Sequence, residues 1–252
     1  MGFWGAVDWQ RPWLAPYRAL GEAAAMRLAS ADSVADALNG CIVGGPPMLS
    51  AGPLRFVAHD ELPVAEPYEA FIHRTATVPT RDNLHDLFNG LVWLRFALLK
   101  RRLNELQAQE IAQSGIGATR GAVRDALTVF DENAAFWQGP PALAAALQSR
   151  DWNTLFVTQR AAWADARLVL FGHALMEKLV RPRKAITAHA CVMPPHVDPQ
   201  AHLCATLSPA WLASKPFQPL PVLGVPGWWH ANESAGFYAD ASVFRPARMP
   251  PA

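Results

Sequence analysis

The clearest helix signal in the sequence is LHDLFNGLVWL, residues 84–94. Drawn as a helix, it is apolar on almost every side, which is typical of a helix buried in a protein core. Asp82 or Asn83 can cap its N-terminus, and the apolar spacing predicts that the helix continues to about Gln109. Its far half carries the basic residues 100–102, which we expect to lie in solvent near the negative end of the helix dipole.

A second stretch of this kind, LVLFGHALMEKLV at residues 168–180, predicts a buried helix from Thr154 to Val180 that is ended by Pro182. Each of the two buried segments carries a histidine with a polar side chain four residues later. The pairs are His85 with Asn89 and His173 with Glu177. Residues at this spacing share one face of a helix, so each helix presents two polar groups side by side.

The rest of the chain supplies shorter elements. Helices are predicted at residues 16–26, 33–38 and 141–148, and strands at residues 54–57, 126–130 and 186–193. Much of the proline lies in residues 46–67, 194–221 and 246–251, where regular helix is not expected.

These elements predict an α+β fold, a helix-dominated single domain with a small sheet and a long irregular Pro/Trp-rich C-terminal segment. Residues 1–50 are expected to be a Trp-rich packing segment, and residues 51–252 to form the main body of the domain.

The composition favours a globular protein and disfavours two classes of partner. Of the 252 residues 51% are hydrophobic and the formal net charge is +1, so no basic field exists to attract nucleic acid or an anionic membrane. No apolar run is long enough to span a bilayer. The N-terminus lacks the features of a secretory signal, so a cytoplasmic location is expected. Three cysteines argue against a disulfide framework, and the oligomeric state is left open.

The polar groups in the two apolar segments need partners, because an unpaired buried charge is strongly unfavourable. We expect the two histidine pairs to find one another or the acidic end of the 126–130 strand, which carries Asp131 and Glu132. A separation of His85 and His173 beyond about 8 Å would exclude a shared site, since metal–nitrogen bonds are only about 2 Å long.

Two chemistries suit such a cluster, and both predict a hydrolase that acts on a small-molecule ligand. A divalent metal such as zinc could activate water; the predicted metal ligands are His85, Asp131, His173 and Glu177. In the other chemistry a histidine acts as general base, oriented by a carboxylate. The predicted catalytic residues are His85, Asp86, Asn89, His173 and Glu177, with Asp86 and Asn89 orienting the others.

The alternative is a noncatalytic binding or interaction protein. The same residues would then be a buried structural polar network, and the Trp-rich tail would supply a docking surface. The spacing does not decide between these readings, because HxxxE is neither the HExxH of zinc proteases nor the ExxH of di-iron bundles.

A second cluster could hold zinc. It consists of His189, Cys191, His196, His202 and Cys204. Two HxC pairs with a histidine between them could give a tetrahedral site, although the spacing matches no standard zinc finger and ordinary packing explains the residues as well. The glycines at 115, 117 and 121 superficially match a dinucleotide loop, but they follow a helical stretch rather than a strand, so a flexible loop is the better interpretation.

Five segments together resemble a bacterial family of uncharacterised proteins, the domain of unknown function 3025. They are HDLFNGLVWL (His85–Leu94), RDALTVFDEN (Arg124–Asn133), LFGHALMEKL (Leu170–Leu179), PLPVLGVPGWW (Pro219–Trp229) and FYADASVFRP (Phe237–Pro246). The resemblance covers the chain from about residue 50 to the end. It implies a bacterial, intracellular protein and no particular activity. The histidine pairs fall within these segments, whereas the cluster between His189 and Cys204 does not.

Overall fold

The computed structural model describes residues 2–30, 33–114 and 121–247. The α-helices in these ranges are α1 (Arg18–Leu28), α2 (Val34–Gly40), α3 (Tyr68–Thr75), α4 (Leu84–Arg95), α5 (Ala97–Ser114), α6 (Ala122–Asn133), α7 (Pro141–Ser149), α8 (His173–Lys178), α9 (Pro199–Thr206) and α10 (Pro209–Ala213). Within the same ranges, no helix is both long and apolar enough to cross a membrane. The predicted loop at Gly115 and Gly117 lies outside the described residues.

The strands form one four-stranded sheet and two small pairs. They are β1 (Met48–Leu49), β2 (Gly52–Pro53), β3 (Arg55–Ala58), β4 (Thr77–Thr80), β5 (Ala134–Gln138), β6 (Arg167–Leu170), β7 (Thr187–Val192) and β8 (Phe217–Pro221). The main sheet has the order β6-β5-β7-β8; β5 and β7 are parallel, and the pairs β6–β5 and β7–β8 are antiparallel. β3 and β4 pair in parallel, and β1 and β2 pair antiparallel. The helix-dominated α+β class is therefore confirmed.

The long helix predicted over residues 83–109 is two helices. Phe96 leaves the helical conformation (φ −127°, ψ 45°) between the end of α4 and the start of α5. Its ring packs edge-on against Phe136 and Phe171, a tertiary contact that the local sequence does not reveal. The changed direction of α5 puts Lys100 inside the protein, where it is only 4% exposed. The prediction that Lys100 lies in solvent is therefore wrong.

The strand predicted at residues 126–130 is also wrong, because this segment belongs to α6. Its buried residues are Ala126, Leu127 and Phe130, and this spacing describes one face of a helix. The strand β5 follows directly, and all five of its residues are buried. A short apolar run does not distinguish a buried strand from a buried helix face. The acidic residues 131–132 therefore lie at a helix end rather than a strand end.

Most of the helix predicted over residues 154–180 is not α-helical. Residues 154–165 form π and 3₁₀ turns, β6 follows, and α8 is the only α-helix of this stretch. Gly172 separates β6 from α8, and a side chain there would collide with the backbone of Glu132 and Asn133. Position 172 therefore requires glycine, and this close approach brings the start of α8 against the end of α6.

The proline-rich residues 194–221 contain two short helices, which the sequence did not predict. Pro199 and Pro209 occupy the first positions of α9 and α10, where the missing amide hydrogen is not needed. After β8 the described tail is irregular, as predicted, with 3₁₀ turns at Val222–Gly224, His230–Glu233 and Ala235–Ala239.

The main sheet separates two buried clusters. Phe136 of β5 belongs to the cluster that contains most of the helices and the N-terminal Trp13 and Tyr17, which we call the helical core. The next residue, Trp137, belongs to a smaller cluster with residues of the C-terminal tail, which we call the aromatic core. Successive strand residues point to opposite faces of a sheet, so β5 contributes to both. The hydroxyl of Tyr17 donates to the carbonyl of Leu170 over 2.7 Å and ties the N-terminal segment to β6.

Candidate functional site

Three helix ends meet beside the helical core and bring the two predicted histidines together. His85 lies in the first turn of α4, His173 begins α8, and Asp131 lies in the last turn of α6. The Nε2 atoms of the two histidines are 3.1 Å apart, and their rings are inclined at 80°. This distance is far below the separation of about 8 Å that would exclude a shared site.

Oxygen atoms occupy both outer ends of the histidine pair. Glu177 Oε2 lies 2.9 Å from Nδ1 of His85, and the main-chain carbonyl oxygen of Asp131 lies 2.9 Å from Nδ1 of His173. We call Glu177, His85 and His173 the proton chain. His85 thus pairs with residues of α8, and not with the residue four positions along its own helix.

The hydrogen bonds determine where the protons lie. A carbonyl oxygen only accepts, so His173 donates from Nδ1 and its Nε2 keeps a lone pair. Nδ1 of His85 and Oε2 of Glu177 share a hydrogen bond. Two facing lone pairs would repel, so the contact between the Nε2 atoms requires a proton on His85 Nε2 as well. The proton chain therefore holds three protons, one in each of its three hydrogen bonds.

Burial keeps His173 neutral, so the proton between the two Nε2 atoms belongs to His85. His173 is 5% exposed, and burial lowers its pKa to about 4, although the charge of Asp131 opposes the shift. The side chain of His85 is 34% exposed. Because burial penalises a charged imidazole, His173 stays neutral at neutral pH and accepts the hydrogen bond from His85.

A second group of polar residues, which we call the charge network, lies next to the proton chain. It joins Tyr68 of α3, Asn89 of α4, Lys100 of α5 and Asp131 of α6. Lys100 Nζ donates to Asp131 Oδ1 over 2.6 Å and to Asn89 Oδ1 over 2.9 Å. Asn89 Nδ2 donates to the hydroxyl of Tyr68 over 3.1 Å.

The charge network keeps Asp131 ionised. Burial alone would raise the pKa of this carboxyl group, but the charge of Lys100 and its hydrogen bond hold the pKa below its ordinary value. A buried ammonium–carboxylate pair of this kind is sensitive to the loss of either partner, because the remaining charge is left without compensation.

Sequence reasoning missed Lys100 and Tyr68. Lys100 follows Phe96 by four residues and precedes Leu103 by three, and both of these residues are buried. This spacing places Lys100 on the buried face of α5, a signal that the assumption of one continuous helix with a solvated end concealed. Tyr68 begins α3, and its sequence position carries no comparable signal.

Asp86 and Asn89, which were predicted to orient the histidines, hydrogen-bond to other partners. Asp86 accepts from the main-chain N–H of Arg81 over 2.6 Å and from its Nε and Nη2 over 3.0 and 3.2 Å. Asn89 contacts Lys100 and Tyr68 instead. Asp86 therefore fixes the loop that precedes α4, and Asn89 belongs to the charge network.

A pocket of about 260 Å³ opens beside these groups. Its wall includes His59, Tyr68, Glu69, Arg81, His85, Asn89, Asp131, Glu132 and His173. This volume is below the range of roughly 300–1,000 Å³ that is usual for drug-sized ligands, so the pocket suits a small molecule. Glu177, at the other end of the proton chain, lines a wider groove together with Lys178, Arg181 and Arg183. The proton chain thus runs from the pocket to a second opening.

The four residues predicted as metal ligands lie together but do not surround one point. Glu177 and His173 contact opposite nitrogens of His85, and the carboxylate of Asp131 faces Lys100. In the part of the chain that the structure describes, no three His, Cys, Asp or Glu side chains are grouped so that they could hold a metal ion. Their donor atoms form a chain of hydrogen bonds instead.

The second predicted zinc cluster does not form within the described residues either. Cys191 is buried in β7, and burial raises the pKa of its thiol, which disfavours the thiolate that a metal requires. Nδ1 of His189 lies 3.2 Å from the side-chain amide nitrogen, Nδ2, of Asn133. His202 and Cys204 lie on α9, so ordinary packing and hydrogen bonding account for this set.

Comparison with known proteins identifies a family for this chain. The family model described as "Protein of unknown function (DUF3025)" matches residues 54–248, which include every residue of the proton chain and of the charge network. Searches of curated proteins and of solved structures found no match to the chain.

Proposed function

We propose a function from the site itself, because this chain belongs to the DUF3025 family, whose function is unknown. The proposal is that the proton chain is the acid–base centre of a hydrolase that acts on a small polar molecule in the pocket. The observation that carries it is the 3.1 Å contact between the Nε2 atoms of His85 and His173 in the pocket wall. General acid–base catalysis needs a proton held between groups that can release it and take it back.

The reaction would use one proton twice. The proton on His85 Nε2 passes to the leaving group of the substrate as the scissile bond breaks. A water molecule supplies the hydroxyl group to the other fragment, and its remaining proton goes to the histidine pair. The proton chain returns to its starting state, so the net reaction adds one water across one bond. His173 supports both steps, because its neutral Nε2 accepts a proton that His85 shares.

Glu177 gives the proton chain a contact with solvent. Its side chain is 40% exposed and it lines the wide groove on the far side of His85 from His173. A carboxylate hydrogen-bonded to Nδ1 also orients the imidazole and stabilises its charged form, as in other carboxylate–histidine pairs. We expect Glu177 to set the orientation and charge of His85.

Two other functions were predicted from the sequence, and the geometry supports them less well. A metal-dependent hydrolase would need the carboxylates of Asp131 and Glu177 to leave Lys100 and His85 and turn toward the Nε2 atoms. A noncatalytic binding protein is favoured by one observation, because the charge network joins four helices and would stabilise the fold without any chemistry.

An experiment in ¹⁸O-labelled water tests the hydrolase. The purified protein is incubated with mixtures of small esters, amides, lactones and phosphate esters, and mass spectrometry follows ¹⁸O in the products. We expect turnover by the wild type and a loss of about 100- to 10,000-fold in His85→Gln, which keeps a polar side chain but cannot carry the shared proton. Metal analysis of the same samples tests the metal-dependent form.

The matched control is His73→Gln, since His73 is an exposed histidine on α3. It should retain full turnover. Equal turnover in wild type and His85→Gln would refute the proposal. So would the absence of turnover in a wild-type protein whose His85→Gln variant differs only in stability, and that result would favour the noncatalytic protein.

A further inference from the structure

The amide group of Asn89 has one allowed orientation. The ammonium of Lys100 only donates, so the atom of Asn89 that faces it must be the oxygen Oδ1. Nδ2 therefore faces Tyr68 and donates to its hydroxyl oxygen. The ion pair with Asp131 holds Lys100 in place, so three residues on three helices together determine the hydrogen-bonding role of Tyr68.

The hydroxyl hydrogen of Tyr68 is directed away from Asn89, because the oxygen acts as acceptor in that contact. Among the described residues, the hydroxyl of Tyr68 forms no hydrogen bond as a donor. Tyr68 lines the pocket, and burial, followed by the charges of Asp86 and Asp131, raises the pKa of the phenol, so the hydrogen is retained at neutral pH. A hydrogen-bond donor on the pocket wall is therefore available to an occupant.

The charges of the wall indicate which kind of acceptor fits. Arg81 and Lys100 are each paired with a carboxylate. Glu69 and Glu132 also line the pocket, and neither forms an ion pair within the described ranges. The net charge beside Tyr68 is therefore negative, which disfavours a carboxylate or phosphate ligand. An uncharged oxygen, such as that of an amide or ester carbonyl, avoids this repulsion.

We propose that the pocket binds the carbonyl of a small uncharged or cationic amide or ester, and that Tyr68 donates a hydrogen bond to its oxygen. This inference rests on the hydrolase proposed above and names its substrate class. Water adds to the carbonyl carbon and the π electrons move to the oxygen, where Tyr68 stabilises the negative charge. The bond to the leaving nitrogen or oxygen then breaks as the proton chain protonates it, and the proton lost by water returns to the chain. The products are an acid and an amine or alcohol.

Three anilide probes with one leaving group and different charges test the substrate class. They are the 4-nitroanilides of glycine, acetic acid and succinic acid, each labelled with ¹³C at the scissile carbonyl, together with the matching 4-nitrophenyl esters. We expect the wild type to hydrolyse the glycyl and acetyl probes at least about tenfold better than the succinyl probe, whose carboxylate meets the negative wall. The bound carbonyl should show a downfield ¹³C shift from the Tyr68 hydrogen bond.

Two variants test the role of Tyr68. Tyr68→Phe removes only the hydroxyl, and we expect kcat to fall about 100- to 1,000-fold with little change in KM, together with loss of the ¹³C shift. Asn89→Asp has nearly the same shape but replaces the donor with an acceptor. The hydroxyl hydrogen of Tyr68 should then turn toward position 89, so the same losses are expected although Tyr68 is still present.

The control is Tyr17→Phe. It also removes a buried hydroxyl, but this hydroxyl belongs to a residue distant from Tyr68 in the sequence and donates to the carbonyl of Leu170. It should lose stability and keep both the ¹³C shift and kcat. The inference would be overturned if Tyr68→Phe and Asn89→Asp kept the wild-type kcat and ¹³C shift. It would also be overturned if the wild type preferred the succinyl probe. If the ¹³C shift depended on Tyr68 but no probe were hydrolysed, the result would support the carbonyl-binding site and refute the hydrolase. Neither binding nor hydrolysis of any probe would refute both.

Discussion

The helical core and the aromatic core differ in the hydrogen-bond partners of their polar side chains. Beside the helical core, charged and titratable side chains bind one another across helices, as Lys100 does with Asp131. In the aromatic core, the ring nitrogens of two tryptophans donate to main-chain carbonyls. Trp152 Nε1 donates to Arg245 over 2.8 Å, and Trp163 Nε1 donates to Leu155 over 2.7 Å.

The tryptophans and the buried charged residues are both unusual features of the composition, and the two cores give them different roles. The tryptophans are abundant, at 10 residues, yet those of the aromatic core serve to hold irregular segments together. His85, Asp86 and His173 of the apolar helices lie in the wall of the pocket. Side-chain networks that depend on protonation state should respond to charge substitutions and to pH, whereas ring packing with backbone acceptors should respond to neither.

The largest effect is expected from Lys100→Met. Methionine fills a similar volume but leaves the carboxylate of Asp131 buried without its cation, so we expect a loss of about 3–5 kcal/mol in the free energy of unfolding. Urea denaturation followed by circular dichroism measures this loss.

The double variant Lys100→Met/Asp131→Asn is the matched control for that prediction. It removes both charges, so it should recover much of the stability that the single variant loses. If the double variant lost as much free energy of unfolding as the two single variants lose together, the two side chains would not interact as the 2.6 Å contact indicates.

The next effect concerns pH and His173. In the unfolded chain this histidine binds a proton below its ordinary pKa of about 6.5, whereas in the folded protein burial delays protonation to about pH 4. Between these values the unfolded state binds more protons, so the free energy of unfolding falls as the pH falls. The expected fall is on the order of 3 kcal/mol between pH 6.5 and pH 4. Urea titrations at four or five pH values measure it.

His173→Gln should flatten this dependence, because glutamine can still donate to the Asp131 carbonyl but does not titrate. His73→Gln, which alters an exposed histidine, should leave the slope unchanged. The window lies above the ordinary pKa of Asp131, 3.8, so loss of that ion pair at lower pH appears as a separate transition. An unchanged slope in His173→Gln would assign the acid sensitivity to another group.

The sequence predicted the fold class and the burial of α4, because a segment that is apolar all round has no stable place but a core. It did not predict the break at Phe96 or the helical state of residues 126–130. The break at Phe96 accompanies ring contacts with Phe136 and Phe171, which are distant in the sequence, and the short apolar run at residues 126–130 fits a strand as well as a helix face. The need for glycine at position 172 likewise arises from the backbone of α6.

The sequence predicted that the residues of the candidate site lie close together, but it did not predict their hydrogen-bond partners. The cost of burying charge predicted that His85 and His173 would find partners. It could not show that Asn89 contacts Tyr68 and Lys100, since that depends on how α3, α4 and α5 pack against one another. Residues four positions apart share a helix face, but here the partner of His85 comes from another helix.

The smallest effect is expected from Phe156→Leu in the aromatic core. The ring of Phe156 is fully buried and lies nearly parallel to Trp163 at 5.7 Å and to Tyr238 at 5.1 Å. Leucine keeps most of the apolar volume and loses the ring contacts, so we expect a loss of about 1–3 kcal/mol in the free energy of unfolding. Urea denaturation measures it. The loss should be the same from pH 6.5 to pH 4, because the packing that changes carries no group that titrates there. A loss that varies with pH over this window would show that the two cores are coupled through the sheet, and would remove the distinction between them.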